Sequence, residues 1–135
     1  MTHSLKDTPF HLMRRLMQAH TAVWQQQVVD LTKPQYALLC AIAETPGVEQ
    51  SMLMKPSVAS KATLTDLLKR TEARGLVHRV RDTEDRRRIY VHLTDAGQQL
   101  LDTSRQQAEQ VDASFMERLS KDEQGQLTDL IKRLL

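Results

Sequence analysis

The feature that most constrains the fold is a glycine that separates a helical pattern from two short β-rich runs. Ser60 is a good N-cap residue, and the helix that it opens is predicted to end at Gly75, which tolerates the left-handed conformation found after many helices. Residues 76–81 and 88–93 then have the composition of two strands, joined by the polar loop 82–87. The helix is predicted to bury three leucines: Leu64, Leu67 and Leu68. The sequence therefore predicts a helix followed directly by a β-hairpin.

Two helices with clear start signals precede this unit. Thr8, with Pro9 at the first helical position, predicts a helix that continues to about Val29 with apolar residues at helical spacing. Thr32 and Gln35 have the spacing of a capping box, which opens a second helix.

A short third helix is predicted over residues 49–54. Pro56 disfavours a helical conformation at Lys55, so this helix cannot extend far. Such brevity is typical of the helix-turn-helix arrangement.

Two more helices come after the hairpin. Thr94 is predicted to cap a long helix that ends near Leu119, and Ser120 with Glu123 forms a second capping box that opens the last helix. The last helix carries an apolar stripe that must pack on another surface. The stripe consists of Leu127, Leu130, Ile131, Leu134 and Leu135.

Length and composition agree with this order of elements. A chain of 135 residues with four Gly and four Pro is about one domain, and it favours long helices over many short strands. The predicted fold is mainly α with a small β-hairpin, a winged helix-turn-helix with helical extensions at both ends. It forms a single domain over residues 1–135.

Positive charge is concentrated in the middle of the chain. Between Lys55 and Arg88 ten Lys and Arg residues face five Asp and Glu residues, although the whole chain carries a net charge of only +2. This distribution fits a nucleic-acid footprint, and it also fits an ordinary solvated face.

Polar and cationic residues on the helix and the loop are the candidate DNA contacts. In a helix-turn-helix, short polar and cationic side chains at the start of the second helix reach base edges and phosphates. In the loop, one arginine could enter the minor groove while Asp85 holds another through a bidentate pair. The alternatives are an amphipathic surface helix and a solvated turn. The candidates are Ser60, Lys61, Thr63, Thr65 and Lys69 on the helix, and Asp85, Arg86, Arg87 and Arg88 in the loop.

The stretch TLTDLLKRTEARGLVHRVRDTEDRRRIYVHLTDAG, residues 63–97, closely resembles the recognition helix, the wing and the next helix start of the MarR family of bacterial regulators. The elements GLVHR, DRR and LTDAG fall in register, and LTKPQYALLCAI resembles the opening of the second helix. Two departures are visible. Thr71 stands where the family usually has leucine, and Met54-Lys55-Pro56 replaces the usual end of the third helix.

The resemblance implies a homodimer that binds palindromic double-stranded DNA, most simply as a repressor. Residues 32–94 would form the DNA-binding lobe, and residues 5–29 and 95–135 the dimerisation helices. The segments HTAVWQQ and DLTKPQYA look especially like the HosA-like subgroup, which is associated with sensing hydroxybenzoate-type acids. A small aromatic carboxylic acid is therefore the expected effector.

Residues of the first two helices offer a possible cradle for such an acid. Arg14 could bind a carboxylate beside an apolar wall and an imidazole. The same side chains could instead pack the helix interface. The candidates are Arg14, Met17, His20 and Trp24 on the first helix, and Tyr36 and Cys40 on the second.

Several other interpretations remain open as alternatives. Cys40 could be an oxidation sensor, although burial is the simpler expectation. His78 and His92, on opposing strands, could face each other and bind a metal, yet no further ligands stand at metal spacing. The basic wing could also contact an acidic protein.

The sequence gives no support for an enzyme or a membrane protein. It has no Gly-rich phosphate loop and no HExxH or G-x-S-x-G motif. No apolar run is long enough to span a membrane, and the N-terminus has no signal-peptide core. The expectation is a cytoplasmic protein with no cofactor and no metal.

Overall fold

A computed structural model describes residues 4–135. Its elements comprise five α-helices, three strands and two short 3-10 helices. The helices are α1 (Pro9–Gln27), α2 (Lys33–Glu44), α3 (Lys61–Ala73), α4 (Asp95–Met116) and α5 (Lys121–Leu134). The strands are β1 (Val48–Glu49), β2 (Val77–Arg81) and β3 (Ile89–Leu93), and the 3-10 helices are Leu5–Asp7 and Gln50–Leu53.

The predicted hairpin is confirmed, and a third strand joins it. The sheet has the order β1-β3-β2, and both pairings are antiparallel. The predicted helix over residues 49–54 is wrong at its start, because Val48 and Glu49 pair with Val91 and Tyr90 of β3. The element after β1 is the 3-10 helix Gln50–Leu53 rather than an α-helix.

The helix starts predicted from the sequence are confirmed by their hydrogen bonds. The backbone N–H of Gln35 donates to Thr32 Oγ1 at 3.2 Å, and the N–H of Thr32 donates to Gln35 Oε1 at 3.0 Å. Ser120 and Glu123 form the same reciprocal pair. Two helices end earlier than predicted, since α1 ends at Gln27 rather than Val29 and α4 ends at Met116 rather than Leu119.

Two glycines are required where the hairpin meets its flanking helices. Gly75 has a φ of +75°, and its N–H donates to the carbonyl of Glu72 while the next N–H donates to that of Thr71. This is the Schellman pattern that ends many helices. A Cβ on Gly97 would lie 2.0 Å from the carbonyl oxygen of Leu76, so a larger residue would force α4 away from the start of β2.

The described chain divides into two compact units. One unit comprises Val28–Gln106 and contains the sheet, with a core that includes Leu38, Leu39, Ile42, Leu53, Leu68, Val77, Val91 and Leu101. The other combines the described part of Met1–Gln27 with Gln107–Leu135, and it buries Trp24, Ala108 and Val111. The lobe boundaries expected from the sequence stay a prediction. Within residues 4–135, no helix combines the length and apolarity that a membrane span requires.

Candidate nucleic-acid interface

Helix α3 presents the predicted contact residues to solvent and its leucines to the core. The Ser60 hydroxyl accepts a hydrogen bond from the N–H of Thr63 at 3.2 Å, which caps the helix as predicted. Lys61, Thr65 and Lys69 are exposed. Leu64, Leu67 and Leu68 are buried. The face of α3 that carries the predicted DNA contacts is therefore exposed and available to a ligand.

Thr71 is fully buried on the inner face of α3. Its Oγ1 donates to the carbonyl of Leu67 at 2.8 Å, so the hydroxyl is satisfied within the helix. This hydrogen bond explains how a polar residue can be buried on the inner face of the helix.

The loop between β2 and β3 is held by an ion pair at its centre. Asp85 accepts from Arg87 Nε at 3.1 Å and from Arg87 Nη2 at 3.2 Å, so the bidentate pair expected from the sequence is present. These hydrogen bonds lower the pKa of the Asp85 carboxyl. Arg81 Nη1 donates to the backbone carbonyl of Arg86. The side chain of Arg86 is not part of this contact and is exposed. A hydrogen bond with Tyr90 is the main cause that raises the pKa of Arg88.

A cleft lies between α3 and this loop. It has a volume of about 390 Å³, and its lining includes Lys61 and Thr65 of α3 together with Arg87. The fold thus brings two cations of the predicted helix and loop to one concave surface. Neither the cleft nor the rest of its lining was expected from the sequence. The rest of the lining consists of Glu49, Gln50, Ser51, Met54, Leu64 and Ile89.

A second ion pair joins α3 to β2, and sequence reasoning missed it. Arg79 donates from Nη2 to Glu72 Oε1 at 3.0 Å and from Nε to Glu72 Oε2 at 3.2 Å. Its third donor, Nη1, reaches Gln50 Oε1 at 3.5 Å. No local signal in the sequence marks this pair, because both Glu72 and Arg79 have many other charged residues nearby in the sequence. The hydrogen bond from Arg79 is the main cause that lowers the pKa of Glu72.

One candidate ligand residue of α1, His20, contacts α4 and the neighbouring aromatic rings. Its Nε2 lies 2.6 Å from Asp112 Oδ1 of α4, and its ring lies 5.4 Å from the Phe115 ring and 6.2 Å from that of Trp24. Its Nδ1 is buried and has no hydrogen-bond partner within residues 4–135. Asp112 and Phe115 were missed, because more than 90 residues separate them from His20 and no local pattern links them.

The other α1 candidates differ in exposure. Trp24 is buried at 4% exposure, whereas Arg14 and Met17 are exposed. Tyr36 and Cys40 lie on α2, in the unit that contains the sheet. The expected burial of Cys40 is wrong, since this thiol is partly exposed. The reason is that the buried stripe of α2 is formed by its neighbours Leu38, Leu39, Ala41 and Ile42.

His78 and His92 face each other as expected. They pair across β2 and β3, and their rings stack at 5.0 Å. Within the described residues, no group of three or more His, Cys, Asp or Glu side chains could hold a metal ion.

Large apolar side chains remain exposed in the unit that contains α1 and α5. They include Leu12, Leu16 and Met17 of α1, and Leu130, Ile131 and Leu134 of α5. Monomeric proteins rarely leave such a concentration of apolar surface in water.

The arginine-rich loop between β2 and β3 is called the wing from here on. Together with α3 and the three-stranded sheet, it defines a winged helix-turn-helix protein. The match to the MarR family covers residues 31–89. Over 132 residues the chain is 44% identical to the transcriptional regulator HosA of Escherichia coli O157:H7, and 98% of each chain is covered. The chain belongs to the MarR family of transcriptional regulators, which confirms the resemblance found in its sequence.

Solved structures agree with this assignment. The PcaV transcriptional regulator from Streptomyces coelicolor, in complex with its natural ligand, matches with a TM-score of 0.93 and 34% identity, covering 99% of this chain and 96% of PcaV. BpsR of Bordetella bronchiseptica, whose DNA binding is regulated by 6-hydroxynicotinic acid, matches with a TM-score of 0.92 and 28% identity. That match covers 99% of this chain and 97% of BpsR.

Proposed function

We propose that this protein is a homodimeric repressor that binds a palindromic operator and is released from it by a small aromatic acid. The observation that carries the proposal is the cleft in which Lys61 and Thr65 of α3 meet Arg87 of the wing. A helix and a wing that line one concave surface, and that each contribute a cation to it, can contact a major groove and the minor groove beside it.

The local chemistry of α3 and the wing supports contact with DNA. The positive end of the α3 dipole and the side chain of Lys61 both favour a phosphate near the start of the helix. In the wing, Asp85 engages Arg87, which leaves Arg86 as the arginine that enters the minor groove. Ser60, Thr63 and Lys69 complete the contacts along α3.

Exposed apolar residues support the dimer. A symmetric pair would bury the side chains of α1 and α5 that are now in water, including Leu130, Ile131 and Leu134. Two-fold symmetry would place two copies of α3 and of the wing on one duplex, with half-sites about one helical turn apart.

The effector proposal rests on the residues of α1 near His20 and on what similar proteins respond to. Arg14 is assigned to the effector carboxylate, and His20 to a polar group on the effector ring. Met17 and Trp24 would line the aromatic face of the effector. An aromatic acid fits the HosA-like resemblance, and 6-hydroxynicotinic acid, which regulates BpsR, belongs to the same chemical class. The acid must bind the DNA-free state more tightly, and DNA must then weaken its binding by the same factor.

Selection of binding sites from a random duplex pool tests the DNA proposal. The expected result is enrichment of an inverted repeat whose half-sites are centred about 10 base pairs apart. Enrichment of no duplex, together with capture of an acidic protein by the wing, would replace this proposal with a protein-contact function.

Thermal unfolding and operator release test the effector proposal. 4-Hydroxybenzoate should raise the melting temperature and release the selected duplex, because a ligand that binds only the folded protein stabilises it by mass action. Arg14→Ala should abolish both responses, whereas Arg15→Ala, which removes the same charge from the neighbouring exposed position, should keep them. Intact responses in Arg14→Ala would refute the assignment of the carboxylate anchor.

A further inference from the structure

The ion pair between Glu72 and Arg79 joins the two parts of the proposed DNA surface. Glu72 lies in the last turn of α3, and Arg79 lies on β2, the strand that leads into the wing. The guanidinium grips both oxygens of the carboxylate, at 3.0 and 3.2 Å. The pair therefore fixes the angle of two elements as well as the distance between them.

A third contact ties the same arginine to the first part of the helix-turn-helix. Arg79 Nη1 lies 3.5 Å from Oε1 of Gln50, a residue of the 3-10 helix that also lines the cleft. One guanidinium thus bridges α3, the 3-10 helix and the sheet. Its side chain is only 24% exposed, so it is less screened by water than the wing arginines.

The charge of Glu72 is unfavourable for binding a polyanion. It places a carboxylate on the helix that carries Lys61 and Lys69, and each negative charge near the duplex opposes attraction to phosphates. Arg79 directs its guanidinium to this carboxylate rather than to DNA. Attraction to phosphates alone therefore explains neither the carboxylate of Glu72 nor the direction of the Arg79 guanidinium.

We infer that Glu72 and Arg79 are positioning residues, which set the geometry between α3 and the wing so that both can contact one operator half-site. This inference rests on the proposed function. Neither residue needs to touch DNA, and the cost of one negative charge is offset by correct placement of Lys61, Thr65 and Arg86.

Charge reversal separates positioning from simple electrostatics. Glu72→Arg adds positive charge, so an electrostatic surface would bind the selected duplex more tightly, whereas loss of the ion pair should weaken binding. We expect a loss of about tenfold, the size of one misplaced base or groove contact. Arg79→Glu should weaken binding by a similar factor. The double variant Glu72→Arg/Arg79→Glu keeps the wild-type charge, and its reversed pair should restore most of the affinity.

The measurement is fluorescence anisotropy with the selected duplex and with a scrambled duplex of the same composition. For Glu72→Arg, positioning predicts a loss for the selected duplex and no loss for the scrambled one, because non-specific binding depends on charge rather than on placement. Thermal unfolding of each variant identifies any that does not fold, and Glu72→Gln, which removes the charge with little change in shape, then takes its place.

Each outcome decides between the claims. If the wild type enriches no duplex, the proposed function fails and the inference fails with it. If the wild type binds and Glu72→Arg binds as tightly or more tightly, only the inference is overturned. A double variant as weak as the single variants, or equal losses on both duplexes for Glu72→Arg, would overturn it as well.

Discussion

In the wing, the Asp85 carboxylate holds the Arg87 guanidinium through two hydrogen bonds, and the same carboxylate lies 3.9 Å from Arg88 Nε. Asp85 thus holds Arg87 by two hydrogen bonds and faces Arg88 across a longer and weaker ion pair. The variant Asp85→Asn removes a negative charge but loosens the wing. We expect two- to fivefold weaker binding of the selected duplex, about the range for an exposed ion pair, measured by anisotropy. Glu84→Gln, which removes the same charge from the same loop, is the control. Tighter binding by Asp85→Asn would mean that Asp85 only repels DNA.

Arg86 is the residue assigned to the minor groove. Arg86→Ala should weaken binding about tenfold and reduce the slope of log affinity against log salt by about one phosphate contact. Arg105→Ala removes the same charge from an exposed position on α4 and should leave the slope unchanged. Equal effects of the two variants would show that only net charge matters.

Val58 is strained just before α3 begins. Its φ is +54°, and its N–H donates to the carbonyl of Lys55 while the N–H of Ala59 donates to that of Met54. This is a Schellman pattern with valine at the position that favours glycine. The side chain is 90% exposed, so burial does not offset the strain.

Val58→Gly should therefore stabilise the protein by about 0.5–1 kcal/mol, after the greater freedom of glycine in the unfolded chain is subtracted from the strain relieved. Chemical denaturation measures the effect. Val29→Gly, at an exposed valine outside the left-handed region, should destabilise instead. A less stable Val58→Gly would show that the backbone there is unstrained.

Glu72 should make stability depend on pH in the acid range. Its hydrogen bond from Arg79 lowers its pKa from the ordinary 4.5, so its contribution is complete above that value and is lost as the pH falls through the lower, folded-state pKa. The difference in unfolding free energy between the wild type and Glu72→Gln should be constant from pH 6 to 8 and shrink below about pH 4.5. A difference that grows on acidification would contradict this assignment.

The apolar face of α5 should hold the dimer together. Ile131→Glu would bury a charge at the interface and should raise the dimer dissociation constant by at least about tenfold, measured by analytical ultracentrifugation. Gln126→Glu places the same carboxylate at a polar position of α5 and should leave the dimer intact. A wild-type chain that is monomeric at micromolar concentration would contradict the proposed symmetry.

Local signals predicted most of the fold. The capping boxes at Thr32 and Ser120 and the glycine at 75 act within a few residues, so the local sequence determines where those helices begin or end. The short strand Val48–Glu49 was not predictable in this way, since its only cause is pairing with β3 some forty residues later.

The candidate sites were less predictable than the fold, for the same reason. The pair Asp85 and Arg87 is two residues apart and was expected, whereas Arg79 meets Gln50, and His20 meets Asp112, only after the chain has folded. Charged and polar residues are common on helix surfaces, and nothing in their local sequence marks which of them will pair.

Salt titration of the wild-type protein on its selected duplex tests the central claim most directly. We predict that log affinity falls linearly with log salt, with a loss of about 10³-fold or more between 50 and 200 mM if six phosphates are contacted, and that the selected duplex remains preferred over the scrambled one. Affinity that is weak for every duplex and indifferent to salt would contradict the claim that this protein is a DNA-binding regulator.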